Sequence, residues 1–265
     1  MSRLLQRCRF VLSAAALVAA APLLAQPASG GNGTIYYGTY DKKVLVIDES
    51  TMSVRDSMPV SIGIPYAMTL STDRTKLYVL EPSRESVEIF DLANRRSAGK
   101  FTLNDGPLHV RLSGFNVDPL DRFAVMLVKT ARKRADRWEI GKPTLLRYDL
   151  QKRAVTDTIP WPDGKEREGA QILFSPDGAN MYFFTDEDVL IYDTQTLKQV
   201  DKWDLQRSVD DGLGNWSFGF PNSLYEERGF STGLFRTTDP INRRTMMGVA
   251  RVDLAKRTVD FYSLG

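Results

Sequence analysis

The side chains with the most chemical potential are few, and they sit at strand starts and in loops. His109 is the only histidine and Cys8 the only cysteine among 265 residues. His109 lies in Gly106-Pro107-Leu108-His109-Val110-Arg111, so a cation stands two positions away. A histidine beside a cation could move a proton or help hold an anion. A hydrogen-bonded structural histidine is the simpler account. Zinc cannot be held by one histidine and one cysteine. No Ser-His-Asp set, Gly-x-Ser-x-Gly elbow, phosphate loop or dinucleotide fingerprint is apparent. No catalytic set, metal site or cofactor is therefore assigned.

Two loops concentrate charge. Residues 129–142 carry Lys129, Arg132, Lys133, Arg134, Arg137 and Lys142 against Asp136 and Glu139, with Trp138 among them. Residues 236–247 carry Arg243 and Arg244. One reading is a binding face with a basic rim, suited to an acidic protein surface or an anionic ligand. The other is two solvated hairpin loops. Asp186-Glu187-Asp188 and Asp210-Asp211 lack calcium-loop spacing and read as solvated turns.

Composition narrows the classes. The chain is 42% hydrophobic and 26% charged, ordinary for a globular protein. Residues 1–25 begin with Arg3, Arg7 and Arg9 and continue as an uncharged apolar run over 10–24. As a helix that run spans roughly 22 Å, short of the ~30 Å bilayer core. It reads as a cleaved secretory signal peptide, which places the protein in the periplasm or outside the cell. An uncleaved anchor is the alternative. Cleavage would remove Cys8 and three of the 35 basic residues, leaving 32 against 33 acidic, or about −1. Nucleic-acid binding then has no support from global charge, and no membrane span remains.

The elements that must position these loops form a repeat. Residues 44–48, 87–91, 145–149, 189–193 and 249–253 are apolar stretches ending on Asp48, Asp91, Asp149, Asp193 and Asp253. The intervals between these aspartates are 43, 58, 44 and 60. An aspartate at a strand end can accept the N–H groups just beyond it, so each reads as a turn-former. Ten residues on stand Met58, Phe101, Ile159 and Trp203, each followed two positions later by Val60, Leu103, Trp161 or Leu205. That alternation marks a half-buried strand. The fifth repeat is one residue shorter and gives Tyr262 and Leu264. A turn recurs as Ser71-Thr72-Asp73, Asp118-Pro119-Leu120-Asp121 and Ser175-Pro176-Asp177-Gly178, and more weakly near residues 225–229. A four-stranded unit of about 45 residues suits a β-propeller blade.

These motifs, with Gly-x-Pro before the innermost strand, resemble the YVTN family of β-propeller repeats. The chain is similar to surface-layer-type propellers and to the propeller chains of quinoprotein amine dehydrogenases. The resemblance implies blades rather than an activity. Its amine dehydrogenase side implies a propeller docked beside a redox partner that bears the cofactor. Lactonase-type propellers share the repeat pattern and imply an alternative, a hydrolase acting through channel-mouth residues such as His109 and Arg111.

The expected fold is all-β, a propeller of four-stranded antiparallel blades. After the signal peptide come a flexible linker over 26–33 and blades at approximately 34–75, 76–122, 123–179, 180–229 and 230–265. With strands A to D numbered outward from the axis, the chain begins at a B strand. Five B–C–D sets and four A strands make nineteen. The ring reads as open, which suggests an incomplete seven-bladed propeller; a five-bladed ring closed imperfectly or by a partner is the alternative. A–B and C–D turns share one face, and B–C and D–A connections share the other. On that second face the candidate binding residues are His109, Arg111, Arg132, Lys133, Arg134, Arg137, Trp138, Arg243 and Arg244. The expected function is a non-catalytic binding or scaffold propeller with a protein partner or anionic ligand there.

Overall fold

The computed structural model describes residues 31–169, 171–185, 188–205, 208–209, 214–218, 229–239 and 241–264. The leader read over 1–25 and the acidic residues Asp186, Glu187, Asp210 and Asp211 lie outside the described residues.

Five small antiparallel sheets form a ring. The first holds β1 (Thr34–Thr39), β2 (Lys43–Asp48) and β3 (Ser53–Pro59). The second holds β4 (Ala67–Leu70), β5 (Lys76–Leu80), β6 (Ser86–Asp91) and β7 (Arg96–Thr102). The third holds β8 (Leu108–Val117), β9 (Phe123–Lys133), β10 (Trp138–Ile140), β11 (Thr144–Asp149) and β12 (Ala154–Ile159). The fourth holds β13 (Gln171–Phe174), β14 (Asn180–Phe184), β15 (Asp188–Asp193) and β16 (Gln199–Asp204). The fifth holds β17 (Ser217–Phe218), β18 (Phe230–Thr238), β19 (Thr245–Asp253) and β20 (Thr258–Ser263). Strands β4, β8, β13 and β17 are the four A strands expected. Among the described residues β10 is one strand more than the nineteen expected, and it belongs to the inserted basic loop.

Period-two alternation explains the packing. In β5, Leu77 and Val79 enter the core shared with the first blade, and Tyr78 and Leu80 the core shared with the third. In β9, Ala124, Met126 and Val128 face the second blade, while Phe123, Val125 and Leu127 face the fourth. Met181 and Phe183 of β14 pack toward the third blade, Tyr182 and Phe184 toward the fifth. Middle strands are thus buried on both faces and read as continuous apolar runs. Met58 with Val60, Ile159 with Trp161 and Trp203 with Leu205 enter these inter-blade cores as expected. Tyr262 and Leu264 stand at the same places in the fifth blade but are exposed.

All five aspartates form turns. Asp48 accepts the N–H of Ser50 at 2.7 Å and of Thr51 at 3.1 Å. Asp91, Asp149, Asp193 and Asp253 each accept the same two N–H groups, two and three residues on. Four residues past each aspartate, Met52, Arg95, Arg153, Leu197 and Arg257 hold φ between 51° and 56°, a left-handed conformation adopted without glycine.

The turns confirm which connections share a face. The residue after each turn aspartate donates its N–H to the last residue of the A–B turn. Leu92 bonds Thr75 at 2.9 Å, Leu150 bonds Arg122 at 3.1 Å, Thr194 bonds Ala179 at 3.0 Å and Leu254 bonds Gly229 at 2.9 Å. Glu49 bonds Gly33 in the same way at 3.2 Å, so the end of the lead-in takes the place of an A–B turn.

The shorter fifth repeat has a structural cause. In the first four blades the C–D pairing slips by one residue, at Val46/Ile47, Ile89/Phe90, Arg147/Tyr148 and Ile191/Tyr192. Strands β19 and β20 pair without a slip. The residue missing from the fifth repeat is the β-bulge.

Candidate binding arm on the third blade

The insertion at 129–142 does not form a loose loop. It continues the B strand, so β9 has eleven residues where β5 and β14 have five. The chain reverses at Arg134, whose N–H bonds the Arg137 carbonyl at 2.8 Å, and returns as β10. The A strand lengthens with it, and β8 has ten residues. Beyond the blade proper, β8, β9 and β10 make a three-stranded arm on the B–C and D–A face.

This moves His109. Counted from Pro107, as Ala67 is counted from Pro65, His109 would stand level with Ala67 and Gln171 on an innermost strand lining the channel. Ala67 pairs with Leu80 and Gln171 with Phe184, and the equivalent B-strand position in the third blade is Leu127. Leu127 pairs with Gly114, not with His109. His109 pairs with Ala131, four residues past Leu127, on the arm. The signal was in the spacing. Gly63 precedes its turn residue Ser71 by eight positions, whereas Gly106 precedes Asp118 by twelve.

Register sorts the arm's side chains onto two faces, because directly paired residues point the same way. His109, Ala131 and Ile140 form one row. Arg111 pairs with Lys129 and Lys133 with Trp138, on the same face. Arg132 pairs with Glu139 on the opposite face. The predicted residues His109, Arg111, Lys133 and Trp138 therefore converge, and Arg132 is separated from them by the sheet. Trp138 is 49% exposed and Ile140 61%. Trp138 meets His109 edge-on, with centroids 5.3 Å apart.

Much of the arm's charge is neutralised within the chain. Arg134 bonds Glu139 at 2.9 Å, and Arg137 reaches Asp136 and Glu139 at 3.3 and 3.4 Å. Lys129 and Lys142 bond Glu168 and Glu166 of the following D–A connection at 2.8 and 2.9 Å. Arg111 and Lys133 have no ion-pair partner among the described residues. Arg243 and Arg244 lie on the fifth blade's loop, in a turn where Asp239 accepts the N–H of Ile241 and of Asn242. Among the described residues no ion pair joins them to the arm.

His109 does have a polar partner. Its Nδ1–H donates to Glu85 Oε2 at 3.1 Å. Asn104 Nδ2 donates to the same oxygen at 2.7 Å, and its Oδ1 accepts the Val110 N–H at 2.7 Å. Glu85 is held by the B–C turn of the second blade, which Glu81 organises by accepting the N–H groups of Ser83, Glu85 and Ser86. Burial pushes the Glu81 carboxyl up, but the Ser83 hydroxyl, which donates to it at 2.7 Å, and these N–H bonds together outweigh it and leave the group below its ordinary range. Glu85 and Asn104 escaped the sequence reading because their partner lies on the neighbouring blade.

No family model matches the chain, and no curated protein matches it. Among solved structures, Kuenenia stuttgartiensis hydrazine synthase aligns at 15% identity and a TM-score of 0.52, over 87% of this chain and 63% of that one. The chain therefore spans less than two thirds of that relative's length. The Myceliophteria thermophila Cps50 (Swd1) β-propeller domain aligns at 13% identity and a TM-score of 0.50, over 88% of this chain and 68% of that one. The fold is a β-propeller. At these identities the similarity concerns the fold alone.

Proposed function

We propose that this propeller is an exported binding or scaffold protein of the YVTN type, working in the periplasm or outside the cell, and that it engages a protein partner through its inserted-loop face. One observation carries the reading. The third-blade arm sets two unneutralised cations, Arg111 and Lys133, beside exposed Trp138 and Ile140 on a single face. Arginine and aromatic side chains are what interface centres favour. The amine dehydrogenase resemblance makes a redox subunit one form such a partner could take.

The test uses tagged full-length protein recovered from the cell envelope, beside a variant carrying Arg111→Glu, Lys133→Glu and Trp138→Ala. The expected result is a discrete protein retained in stoichiometric amount by the wild type, released by added salt and lost in the variant. Equal retention by both, or none by the wild type, overturns the reading. The amino terminus of the envelope-fraction protein checks export, with Gln26 as the expected first residue.

The His109–Glu85 contact favours one second reading, a lactonase-type hydrolase. A carboxylate that fixes an imidazole prepares it to act as a base. Lactone hydrolysis by wild type and His109→Ala tests this, and equal rates remove His109 from any mechanism.

A further inference from the structure

The arm's outer strand, β10, is paired on one edge only. Among the described residues β9 is its sole neighbour. The ladder fixes which backbone groups are spent. Gly141 donates its N–H to the Thr130 carbonyl at 2.8 Å and Arg134 to the Arg137 carbonyl at 2.8 Å. Antiparallel alternation then turns Arg137, Glu139 and Gly141 toward β9. It leaves the N–H and C=O of Trp138 and Ile140 facing outward. These two residues also carry the exposed apolar side chains.

The arm's other edge differs. Along β8, the Val110 N–H goes to Asn104 Oδ1 at 2.7 Å and the Leu112 N–H to the Arg84 carbonyl at 2.8 Å. Leu108 and Asp105 exchange both backbone bonds at 2.9 Å. The inner edge is closed by the protein itself, and the outer edge is open. Edges are normally blunted by charge, proline or short length, and β10 is short, three residues with Glu139 at its middle; its outward backbone positions are what it leaves open. Here those positions hold a tryptophan and an isoleucine.

We infer that the free edge of β10, with the face beside it, takes an extended acidic segment of another polypeptide, which adds to the arm as a further antiparallel or parallel strand. The inference rests on the binding function proposed above and specifies its chemistry. Backbone groups on Trp138 and Ile140 supply the ladder bonds, their side chains supply an apolar seat, and Lys133 supplies the charge that selects carboxylates. Arg111, farther across the same face, adds to the field that steers the segment in. A nucleic acid or acidic polysaccharide fits less well. Such a polymer needs a row of free cations, and Lys129, Arg134, Arg137 and Lys142 are already paired with carboxylates. It also makes no use of an open backbone ladder.

The probe is a fluorescein-labelled decapeptide of alternating Asp and Val, titrated into the full chain at low salt. Deca-aspartate and an alternating Lys-Val decapeptide serve as comparisons. The Asp-Val peptide is expected to bind saturably and at least about tenfold more tightly than either. Ile140→Pro removes one outward N–H and should weaken binding by about tenfold with an unchanged melting temperature. Lys133→Glu leaves the edge intact and should exchange the preference toward the Lys-Val peptide.

Absence of saturable Asp-Val binding overturns the inference. Equal binding of deca-aspartate overturns it in favour of a polyanion site. Full affinity in a folded Ile140→Pro protein overturns strand addition. The two readings also separate. A partner retained equally by wild type and Ile140→Pro leaves the binding function standing and removes the strand. Peptide binding without a retained partner does the reverse.

Discussion

His109 Nδ1 lies 3.1 Å from Glu85 Oε2, and this contact joins the arm of the third blade to the B–C turn of the second. Asn104 shares the same carboxylate oxygen and also satisfies the Val110 N–H. The weight in this small network falls on Asn104. His109→Ala removes a part-exposed pair worth at most about 1 kcal/mol. Asn104→Ala leaves a backbone donor and a carboxylate short of a partner and should cost about 1–2 kcal/mol. Urea unfolding of the two variants checks the order; a larger loss for His109→Ala contradicts it.

Acid should weaken this fold through its turns. The N–H groups of Lys152, Thr196 and Lys256 hold Asp149, Asp193 and Asp253 below the ordinary carboxylate range, and the Asn94 side chain leads the same effect at Asp91. A carboxyl with a depressed folded-state pKa contributes stability above its unfolded value, about 3.9 for aspartate. That contribution is lost as pH falls through the folded value. The urea midpoint should be level from pH 7 to about 5 and fall below about 4. A midpoint unchanged down to pH 2 would exclude the turns as the source of acid sensitivity.

Met52 tests the left-handed turn position. It holds φ 51° and is mostly exposed, so its side chain contributes little packing. Met52→Gly should stabilise by about 0.5–1 kcal/mol by relieving the Cβ clash. Met52→Val should destabilise by about 1 kcal/mol, because a β-branched residue tolerates this conformation poorly. The order of the melting temperatures, Gly above Met above Val, is the readout.

Glu88 is 1% exposed, on β6, where the other blades carry Leu45, Leu146, Leu190 and Ala250. It accepts the Ser61 N–H at 2.7 Å and the Ser61 hydroxyl at 3.1 Å, pinning the connection between the first two blades. Glu88→Leu matches the other blades in chemistry yet orphans the Ser61 donors. It should cost about 1–3 kcal/mol in urea unfolding. A neutral effect would show that water replaces the carboxylate.

The repeats were readable because each turn is local. Asp48 and its equivalents bond backbone two and three residues away, so their role follows from spacing alone. The alternation that places Met58 and Val60 in a core is likewise a property of one strand. Even the missing bulge of the fifth blade shows in the sequence as a one-residue deletion. His109 was harder to place. Counting from Pro107, as from Pro65, puts it level with Ala67, whereas counting back from Asp118 puts Gly114 there and reveals the extended strand.

By itself the sequence determined the blades: strand order, turn chemistry and the faces that connections share, all set by bonds and alternation within some fifty residues. Tertiary structure decided which charges remain available. Lys129 is neutralised by Glu168 and His109 is held by Glu85, each across a gap between elements that no local pattern encodes. It also decided that Lys133, and not its neighbour Arg132, shares a face of the arm with His109 and Arg111. Pairing fixes that choice, because a strand's register is a relation between two segments and not a property of either one.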